Sequence, residues 1–449
     1  MAKGRENFGS AWTAVMAMAG SAIGLGNIWR FPYMVGENGG AAFIIVYLLS
    51  SFLLSLPIFL SESIIGRSTH SNTFGSMEKL APGTRWKWLG FLTVISPLII
   101  ISYYSVVGGW SIGFLGKSVA SGFSLEGNFF GDLISSTWTP LIFHTAFLAL
   151  CAIIVSAGIK SGIERFNKIS LPVLFVLMLI IMITSLCLPG ASAGVNYMLK
   201  PDFSKLTPSM VASAMGQSFF SLSLGVGAVL TFSSYIKKDA DIFTSGIWTA
   251  FFDLLFALIA DFAIMPAVFS AGIEPGAGPG LIFETLPYIF AKMGVEAGIL
   301  SRVVSILFFL TIVVAALTSA ISMLEVGVAY LVEEKHIRRK KAVWLLFAAT
   351  WTLGALCSLS FGPLADFHIF GETVFNFCDK LTSNFLMTFG SLLFVFFVGW
   401  KMKKAVIRDE FTNNGSLKFN DRIFGAVYFS IRYLAPVVIL IIFATNLIA

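Results

Sequence analysis

Uncharged apolar runs that are long enough to cross a membrane recur from one end of the chain to the other. Ala41–Leu60, Ile169–Leu188 and Leu381–Trp400 contain no charged residue. A helix needs about 20 apolar residues to cross the hydrocarbon core of a bilayer. Charged residues make up 12% of the sequence, about half of the roughly 25% that is typical of soluble proteins. The sequence therefore predicts a polytopic membrane protein and excludes a soluble enzyme.

We predict an all-α integral membrane protein with eleven transmembrane helices in a single domain, 1–449. The predicted spans are 9–35, 41–69, 87–117, 137–157, 163–188, 208–236, 241–271, 301–334, 339–359, 373–402 and 421–447. In the loop 272–300, the apolar stretch Leu281–Met293 is only 13 residues long. It is too short to span, so we expect a re-entrant or lid-like hairpin there.

Basic residues predict the orientation of the chain in the cell inner (plasma) membrane. Lys and Arg cluster in alternate loops, such as 335–341 and 401–404, whereas the loops between them are rich in acidic residues. The positive-inside rule then places the N-terminus in the cytoplasm and, with eleven spans, the C-terminus outside. The basic residues form no single face for nucleic acid. The four cysteines lie singly in apolar runs, so we expect neither a disulfide framework nor a metal cluster.

Two glycine-rich interruptions lie at the middle of predicted spans. Gly24-Leu-Gly26 interrupts the first span, and Gly225-Val-Gly227 interrupts the sixth, 201 positions later. Glycine costs about 1 kcal/mol in a helix relative to alanine. The spacing predicts helices 1 and 6 unwound at mid-membrane in an inverted 5+5 repeat, with halves 9–188 and 208–402 and an additional helix 421–447. The alternative is that these glycines only allow close helix packing.

Broken helices offer specific chemistry at membrane depth. A half-helix that begins there exposes N–H groups that suit a carboxylate. A half-helix that ends there exposes carbonyl oxygens that suit a desolvated sodium ion. The pattern therefore favours a ligand with a carboxylate next to sodium.

Four stretches of the sequence resemble the neurotransmitter:sodium symporters. They are Asn27-Ile-Trp-Arg-Phe-Pro32 with Glu37-Asn-Gly-Gly40, Gly162–Ile169 with Pro172, Phe219–Gly227, and Ala315–Ser319. The span count resembles that of the bacterial branch, which includes leucine, tyrosine and multi-hydrophobic amino-acid transporters. The resemblance implies the LeuT fold and sodium-coupled import of amino acids by alternating access, with no enzymatic activity.

The resemblance implies two sodium sites. The first would consist of Ala22, Asn27, Ser221 and Asp253, and the second of Gly20, Ile23, Ala315, Thr318 and Ser319. The bacterial leucine transporter has Asn at the position of Asp253. Because Ala257 stands where chloride-independent members often have an acidic residue, we expect Asp253 to supply that charge and to make chloride unnecessary. The alternatives are a structural ion pair for Asp253 and back-bonding within the helix for Thr318 and Ser319.

The resemblance also implies a substrate pocket. Its predicted members are Ser21, Ala22, Gly24, Leu25, Gly26, Ile100, Tyr104, Phe220, Ser221, Ser223, Val226, Ser319 and Met323. Monoamine carriers have Asp at the position of Gly24, so we expect an amino acid. Val226 replaces a Phe of the leucine transporter, which predicts bulky hydrophobic or aromatic L-amino acids. If Met323 fills the space, the alternative is a carrier for small neutral amino acids.

Two gates and two supports complete the predicted carrier. Arg30 would pair with Asp379 at the outer gate and Arg5 with Glu333 at the inner gate, while Glu62 and Gln217 would hydrogen-bond the unwound backbone. An ion channel would lack such paired gates. An intramembrane hydrolase would need a histidine beside a nucleophile, and none of the four histidines is near a Ser or Asp in a sequence pattern typical of a catalytic triad. We expect a monomer or a weak dimer in the lipid bilayer.

Overall fold

The computed structural model describes residues 6–273 and 280–448, and these residues are mainly helical. Nine single helices in these ranges are long and apolar enough to cross a membrane. They are Ala41–Thr69, Lys87–Ala120, Thr139–Ser156, Ile159–Leu186, Ile242–Ser270, Ile299–Glu333, Arg339–Leu359, Val374–Lys401 and Lys418–Thr445. They correspond to predicted spans 2 to 5 and 7 to 11, and those numbers are kept below.

Spans 1 and 6 are the interrupted ones. Span 1 consists of the helices Ala11–Ala22 and Gly26–Glu37, which meet at a bend of 53°. Span 6 consists of Pro208–Ser221 and Ala228–Ser233, separated by the non-helical residues 222–227. Neither half of span 6 is long enough to cross alone. The all-helical membrane fold is confirmed, and the count of eleven stays a prediction.

Short elements connect the spans. The connecting helices are Thr73–Leu80, Phe129–Ser135, Ala191–Leu199, Phe203–Lys205, Leu281–Thr285 with Leu286–Ala297, and Lys404–Thr412. The strands His368–Ile369 and Glu372–Thr373 form a small antiparallel hairpin in which His368 pairs with Thr373.

The predicted hairpin at Leu281–Met293 is instead helical, from Leu281 to Ala297. In this helical stretch, the Phe283 ring stacks on the Phe130 ring, with the ring centroids 5.4 Å apart. It also contacts Trp110 of span 3 edge-on, at a centroid distance of 5.8 Å. A helix satisfies its own backbone groups, so this stretch can pack flat against its neighbours without a hairpin partner. The residues 274–279 at the start of the loop lie outside the described part.

Local sequence explains where several helices begin. Ser10 and Thr13 form a reciprocal capping box at the start of span 1, and the Asp241 carboxylate accepts hydrogen bonds from Phe243 N and Thr244 N at the start of span 7. Spans 3, 7 and 8 are the most buried, with 72%, 72% and 78% of their most apolar stretches covered, against 28% for span 11. The two interrupted spans therefore face an inner scaffold of long helices.

Candidate functional site

The interruption in span 1 exposes carbonyl oxygens where the first half-helix ends. Ile23 leaves the helical conformation with ψ 105°. Its carbonyl oxygen accepts hydrogen bonds from the hydroxyls of Thr318 at 3.1 Å and Ser319 at 3.2 Å, both on span 8. The Ser21 carbonyl oxygen accepts another from Ser319 at 3.0 Å. Span 8 hydroxyls thus replace the missing helical donors of span 1.

The interruption in span 6 requires backbone conformations that favour glycine. Gly225 has φ +79°, and a Cβ at this position would lie 2.0 Å from the carbonyl oxygen of Met387 on span 10. Ser223 also has a positive φ, 53°, an uncommon conformation for a residue with a side chain. Its hydroxyl donates a hydrogen bond to the Ser21 carbonyl at 3.3 Å. The two interruptions therefore contact each other directly.

Glu62 and Gln217 lie at the two interruptions. The Glu62 carboxyl is buried and accepts a hydrogen bond from Gly225 N at 2.7 Å. The Gln217 amide donates to the Gly26 carbonyl oxygen at 3.1 Å. Each side chain supplies a partner for a backbone group that the interruption frees.

Three of the four residues predicted for the first sodium site converge. Asn27 Nδ2 donates to Asp253 Oδ1 at 2.7 Å, and the Ser221 hydroxyl donates to the two Asp253 carboxylate oxygens at 2.9 Å and 2.7 Å. All three side chains are buried. Ala22 lines the adjoining cavity. Asn27 Oδ1 accepts a hydrogen bond from Gly24 N at 3.1 Å, so it is the Nδ2 of this amide that faces Asp253. The Ser221 hydroxyl and the Asp253 carboxylate are the hard oxygen ligands here that suit an alkali cation, with the carboxylate supplying the negative charge.

Tyr47 is a neighbour that the sequence did not single out. This fully buried side chain on span 2 interacts with Asp253 and Ser221. Its hydroxyl has no partner at hydrogen-bonding distance among the described residues. Tyr47 lies within an apolar run, as other aromatic residues of the spans do. The local sequence therefore does not distinguish it as a neighbour of Asp253.

The residues predicted for the second sodium site meet between spans 1 and 8. Thr318 Oγ1 lies 2.8 Å from the Ala315 carbonyl oxygen and 3.1 Å from that of Ile23. The contact with Ala315 is the hydrogen bond within the helix that the alternative interpretation predicts. The contact with Ile23 joins span 8 to span 1, so the structure contains both. Gly20 faces span 5, where a Cβ would lie 2.4 Å from Asn167 Oδ1. The Asn167 amide was not predicted, and it is buried without a hydrogen-bond partner among the described residues.

A small cavity of about 20 Å³ lies between the two interruptions. Eleven of the thirteen predicted substrate contacts line it, and Met387 of span 10 is an additional lining residue; the eleven are Ala22, Gly24, Gly26, Ile100, Tyr104, Phe220, Ser221, Ser223, Val226, Ser319 and Met323. Its volume is close to that needed for one water molecule. Binding of an amino acid therefore requires lining side chains such as Met387 to move.

Ser21 and Leu25 do not line this cavity. The Ser21 hydroxyl donates to Ser322 Oγ at 2.7 Å, so its side chain faces span 8. Leu25 takes part through its backbone N–H, which donates to the Tyr104 hydroxyl oxygen at 3.1 Å. Both predicted residues belong to the interruption but contact its supports rather than the cavity.

The outer gate residues are near each other but do not form an ion pair within 4.0 Å in the described structure. The Arg30 guanidinium lies 4.6 Å from the centre of the Phe220 ring, a cation–π contact that covers the cavity. Asp379 interacts with Arg30 and with Tyr103. The Tyr103 hydroxyl lies 3.1 Å from Thr382 Oγ1 on span 10. Tyr103 is thus an additional neighbour of Arg30 and Asp379, the pair predicted for the outer gate.

Of the two residues predicted for the inner gate, the structure describes Glu333. Arg5 lies outside the described residues, and Glu333 accepts hydrogen bonds from Asn72 N at 2.8 Å and from its side chain at 3.1 Å. Phe8 is buried, packs edge-on against Tyr235 with ring centroids 6.0 Å apart, and donates its N–H to the Tyr235 carbonyl oxygen at 3.0 Å. The segment before span 1 therefore packs against the end of span 6.

Metal-ligating clusters of three or more His, Cys, Asp or Glu side chains do not occur within 6–273 and 280–448. The cysteines in these ranges are free thiols. Neutral oxygens and one carboxylate are ligands that suit a hard cation rather than a transition metal.

Comparisons with known proteins agree with this geometry. A family model described as the sodium:neurotransmitter symporter family matches residues 5–127 and 134–449. The uncharacterized sodium-dependent transporter YhdH of Bacillus subtilis is 37% identical over 96% of this chain and 95% of its own length. An uncharacterized sodium-dependent transporter of Haemophilus influenzae is 34% identical over 99% of both chains.

A solved structure is similar over the whole molecule. The crystal structure of MhsT in complex with L-phenylalanine superposes with a TM-score of 0.89 at 39% sequence identity, covering 99% of this chain and 100% of that one.

Proposed function

Because the chain belongs to the sodium:neurotransmitter symporter family, a family of membrane transporters and not of enzymes, we propose that it imports hydrophobic or aromatic L-amino acids with sodium by alternating access. Two sodium ions would bind, one at Asn27, Ser221 and Asp253 and one beside Thr318 and Ser319. The N-terminus would lie in the cytoplasm and the C-terminus outside, and the carrier would act as a monomer or a weak dimer.

The convergence of Asn27, Ser221 and Asp253 beside the cavity carries this proposal. A buried carboxylate beside the Ser221 hydroxyl and the Asn27 amide favours a monovalent cation, and a substrate carboxylate can complete its coordination. The Tyr104 hydroxyl lines the cavity and accepts a hydrogen bond from the Leu25 N–H at 3.1 Å, so its own proton can be donated to that substrate carboxylate. The binding of L-phenylalanine by MhsT supports an apolar side chain for the substrate.

Competition binding with all common amino acids, with and without sodium, tests the proposal. We expect sodium-dependent binding in which phenylalanine, tyrosine, tryptophan, leucine or methionine compete better than alanine or glycine. Binding that is independent of sodium would contradict the proposal. The small volume of the cavity favours a second candidate, a carrier for small neutral amino acids, which better competition by alanine or glycine would support.

Asp253 gives a sharper test of the first sodium site. We expect Asp253→Ala to abolish sodium-dependent binding, because it removes the only carboxylate of the proposed site, and Asp253→Asn to leave weaker, chloride-sensitive binding. Wild-type uptake should be unchanged when gluconate replaces chloride at constant sodium. Wild-type sodium affinity in both variants would show that Asp253 is only structural.

A further inference from the structure

A second acidic residue of span 7, Asp261, has no role in the sodium sites proposed above. It lies two helical turns after Asp253 and is completely buried. Neither of its carboxyl oxygens has a hydrogen-bond partner among the described residues. Asp253, by contrast, interacts with Asn27 and Ser221. Asp261 is thus a carboxyl group in the membrane that the proposed function does not use.

The surroundings of Asp261 are apolar. Ala257 and Met265, one turn before and after it, share its side of the helix and belong to one buried apolar cluster with Phe31 and Met198. The helix Ala191–Leu199 packs closely there, since a Cβ at Gly194 would lie 2.8 Å from the Met265 carbonyl oxygen. This packing excludes the bulk water that could solvate a carboxylate.

Ionisable groups on the neighbouring helices do not neutralise Asp261. Tyr197, on the helix Ala191–Leu199, is the titratable side chain that faces it, and its hydroxyl donates to the Gly36 carbonyl oxygen at 2.7 Å. On the other helices packed against span 7, Glu62, Arg67, Glu164 and Lys292 are bonded to Gly225 N, Glu410, Gly9 N and the Ala271 carbonyl oxygen. Arg30 lies over the Phe220 ring. The remaining ionisable groups on these helices make no hydrogen bond to either Asp261 oxygen, and they are Tyr33, Glu37, Tyr47, Arg165, Lys168 and Tyr288. Within the described part of the chain, no cation pairs with Asp261.

An ionised carboxylate without a partner is strongly disfavoured in such an apolar interior. We propose that Asp261 is a proton-binding site, neutral in this closed conformation, which loses its proton when the outer half of span 1 and the helix Ala191–Leu199 separate from span 7. On release the O–H bond breaks, the proton passes to water, and the electron pair stays on the carboxylate. The carrier would then take up a proton each time it closes.

The sign of the pH effect follows from this order of events. Because the closed conformation holds the proton, raising the pH disfavours closure and weakens substrate binding. An asparagine at this position is uncharged at every pH and has nearly the same shape. Asp261→Asn should therefore keep sodium-dependent binding but lose its pH dependence.

Proton uptake can be measured directly on purified full-length protein in weakly buffered solution with a pH indicator dye. Adding sodium and L-phenylalanine as the probe should cause uptake of about one proton per wild-type molecule and of none in Asp261→Asn. Asp366→Asn, at an exposed loop position, is the matched control and should behave like wild type. Equal proton uptake in wild type and Asp261→Asn would overturn the proposal.

Infrared spectroscopy gives a second measurement on the closed carrier. The wild type in sodium and L-phenylalanine should show the C=O stretching band of a protonated carboxyl at about pH 8, shifted in Asp261→Glu and missing in Asp261→Asn. A wild-type spectrum without this band would also overturn the proposal. Loss of all sodium-dependent binding in the wild type would instead count against the proposed function, so the two failures are distinguishable.

Discussion

At the scale of single residues, Gly24 lies where a side chain would collide with Ser319 of span 8 and Tyr104 of span 3. A Cβ there would be 2.3 Å from Ser319 Oγ and 2.9 Å from the Tyr104 hydroxyl. Ser319 could move away only by giving up its hydrogen bonds to Ser21 and Ile23. Any larger side chain at this position would collide with the same two residues.

We therefore expect Gly24→Ala to weaken sodium-dependent substrate binding by roughly tenfold or more, since overpacking a core costs about 1–3 kcal/mol. Titration of sodium against radiolabelled L-phenylalanine binding measures this. Gly116→Ala on span 3 is the control, because a Cβ there has no neighbour within 4 Å. Similar affinities for L-phenylalanine in Gly24→Ala and Gly116→Ala would contradict the close approach of Ser319 and Tyr104 to Gly24.

Val226 is one of the side chains that limit the size of the cavity. It is buried and lines the cavity with Met323 and Met387. Val226→Phe should narrow the pocket and shift the ratio of phenylalanine to alanine affinity at least about tenfold toward alanine, because even one methylene is worth about 1–3 kcal/mol in an apolar pocket. Competition binding measures the ratio. An unchanged ratio would indicate that the methionines, rather than Val226, limit the substrate.

At the scale of elements, Glu62 of span 2 supports the interruption of span 6. Glu62→Ala leaves the buried Gly225 N–H without an acceptor, which should cost about 1–3 kcal/mol of stability. Glu62→Gln keeps an acceptor oxygen of nearly the same shape, so its loss should be much smaller. Thermal unfolding in detergent compares the two variants. Equal destabilisation would show that the charge of Glu62, and not its hydrogen bond to Gly225, supports the interruption.

At the scale of the whole molecule, the segment before span 1 joins the cytoplasmic ends of several spans as the orientation predicts them. Phe8 packs on span 6, and Gly9 N donates to the Glu164 carboxylate of span 5 at 3.0 Å. In the proposed alternating-access cycle, these contacts would have to separate for the inner side to open. They would therefore favour the closed state over an inward-open one.

Phe8→Ala should shift this balance toward the inward-open state, because a buried Phe→Ala change costs about 3–5 kcal/mol. If only the closed state holds substrate tightly, the apparent affinity falls with the closed fraction. Equilibrium binding of L-phenylalanine at fixed sodium should weaken by roughly tenfold. Phe203→Ala, at an exposed aromatic residue, should have no effect, and a similar loss in both variants would argue against the inner closure.

The sequence by itself determined the membrane class, the approximate bounds of the long spans and the positions of the two interruptions. These properties depend on local composition, since a run of apolar residues needs no distant partner to prefer a bilayer and Gly-x-Gly weakens a helix wherever it occurs. The four motif stretches also pointed to the correct family before any contact was known.

Only the tertiary structure decided which side chains meet. Tyr103 and Tyr104 are adjacent in sequence, yet Tyr103 faces the outer gate and Tyr104 faces the interruption of span 1. Arg30 lies over Phe220 without a direct ion pair to Asp379, and Asp261 lies in an apolar cluster that span 7 alone does not reveal. The physical reason is that each of these contacts depends on how helices distant in sequence rotate and pack, which no local pattern encodes.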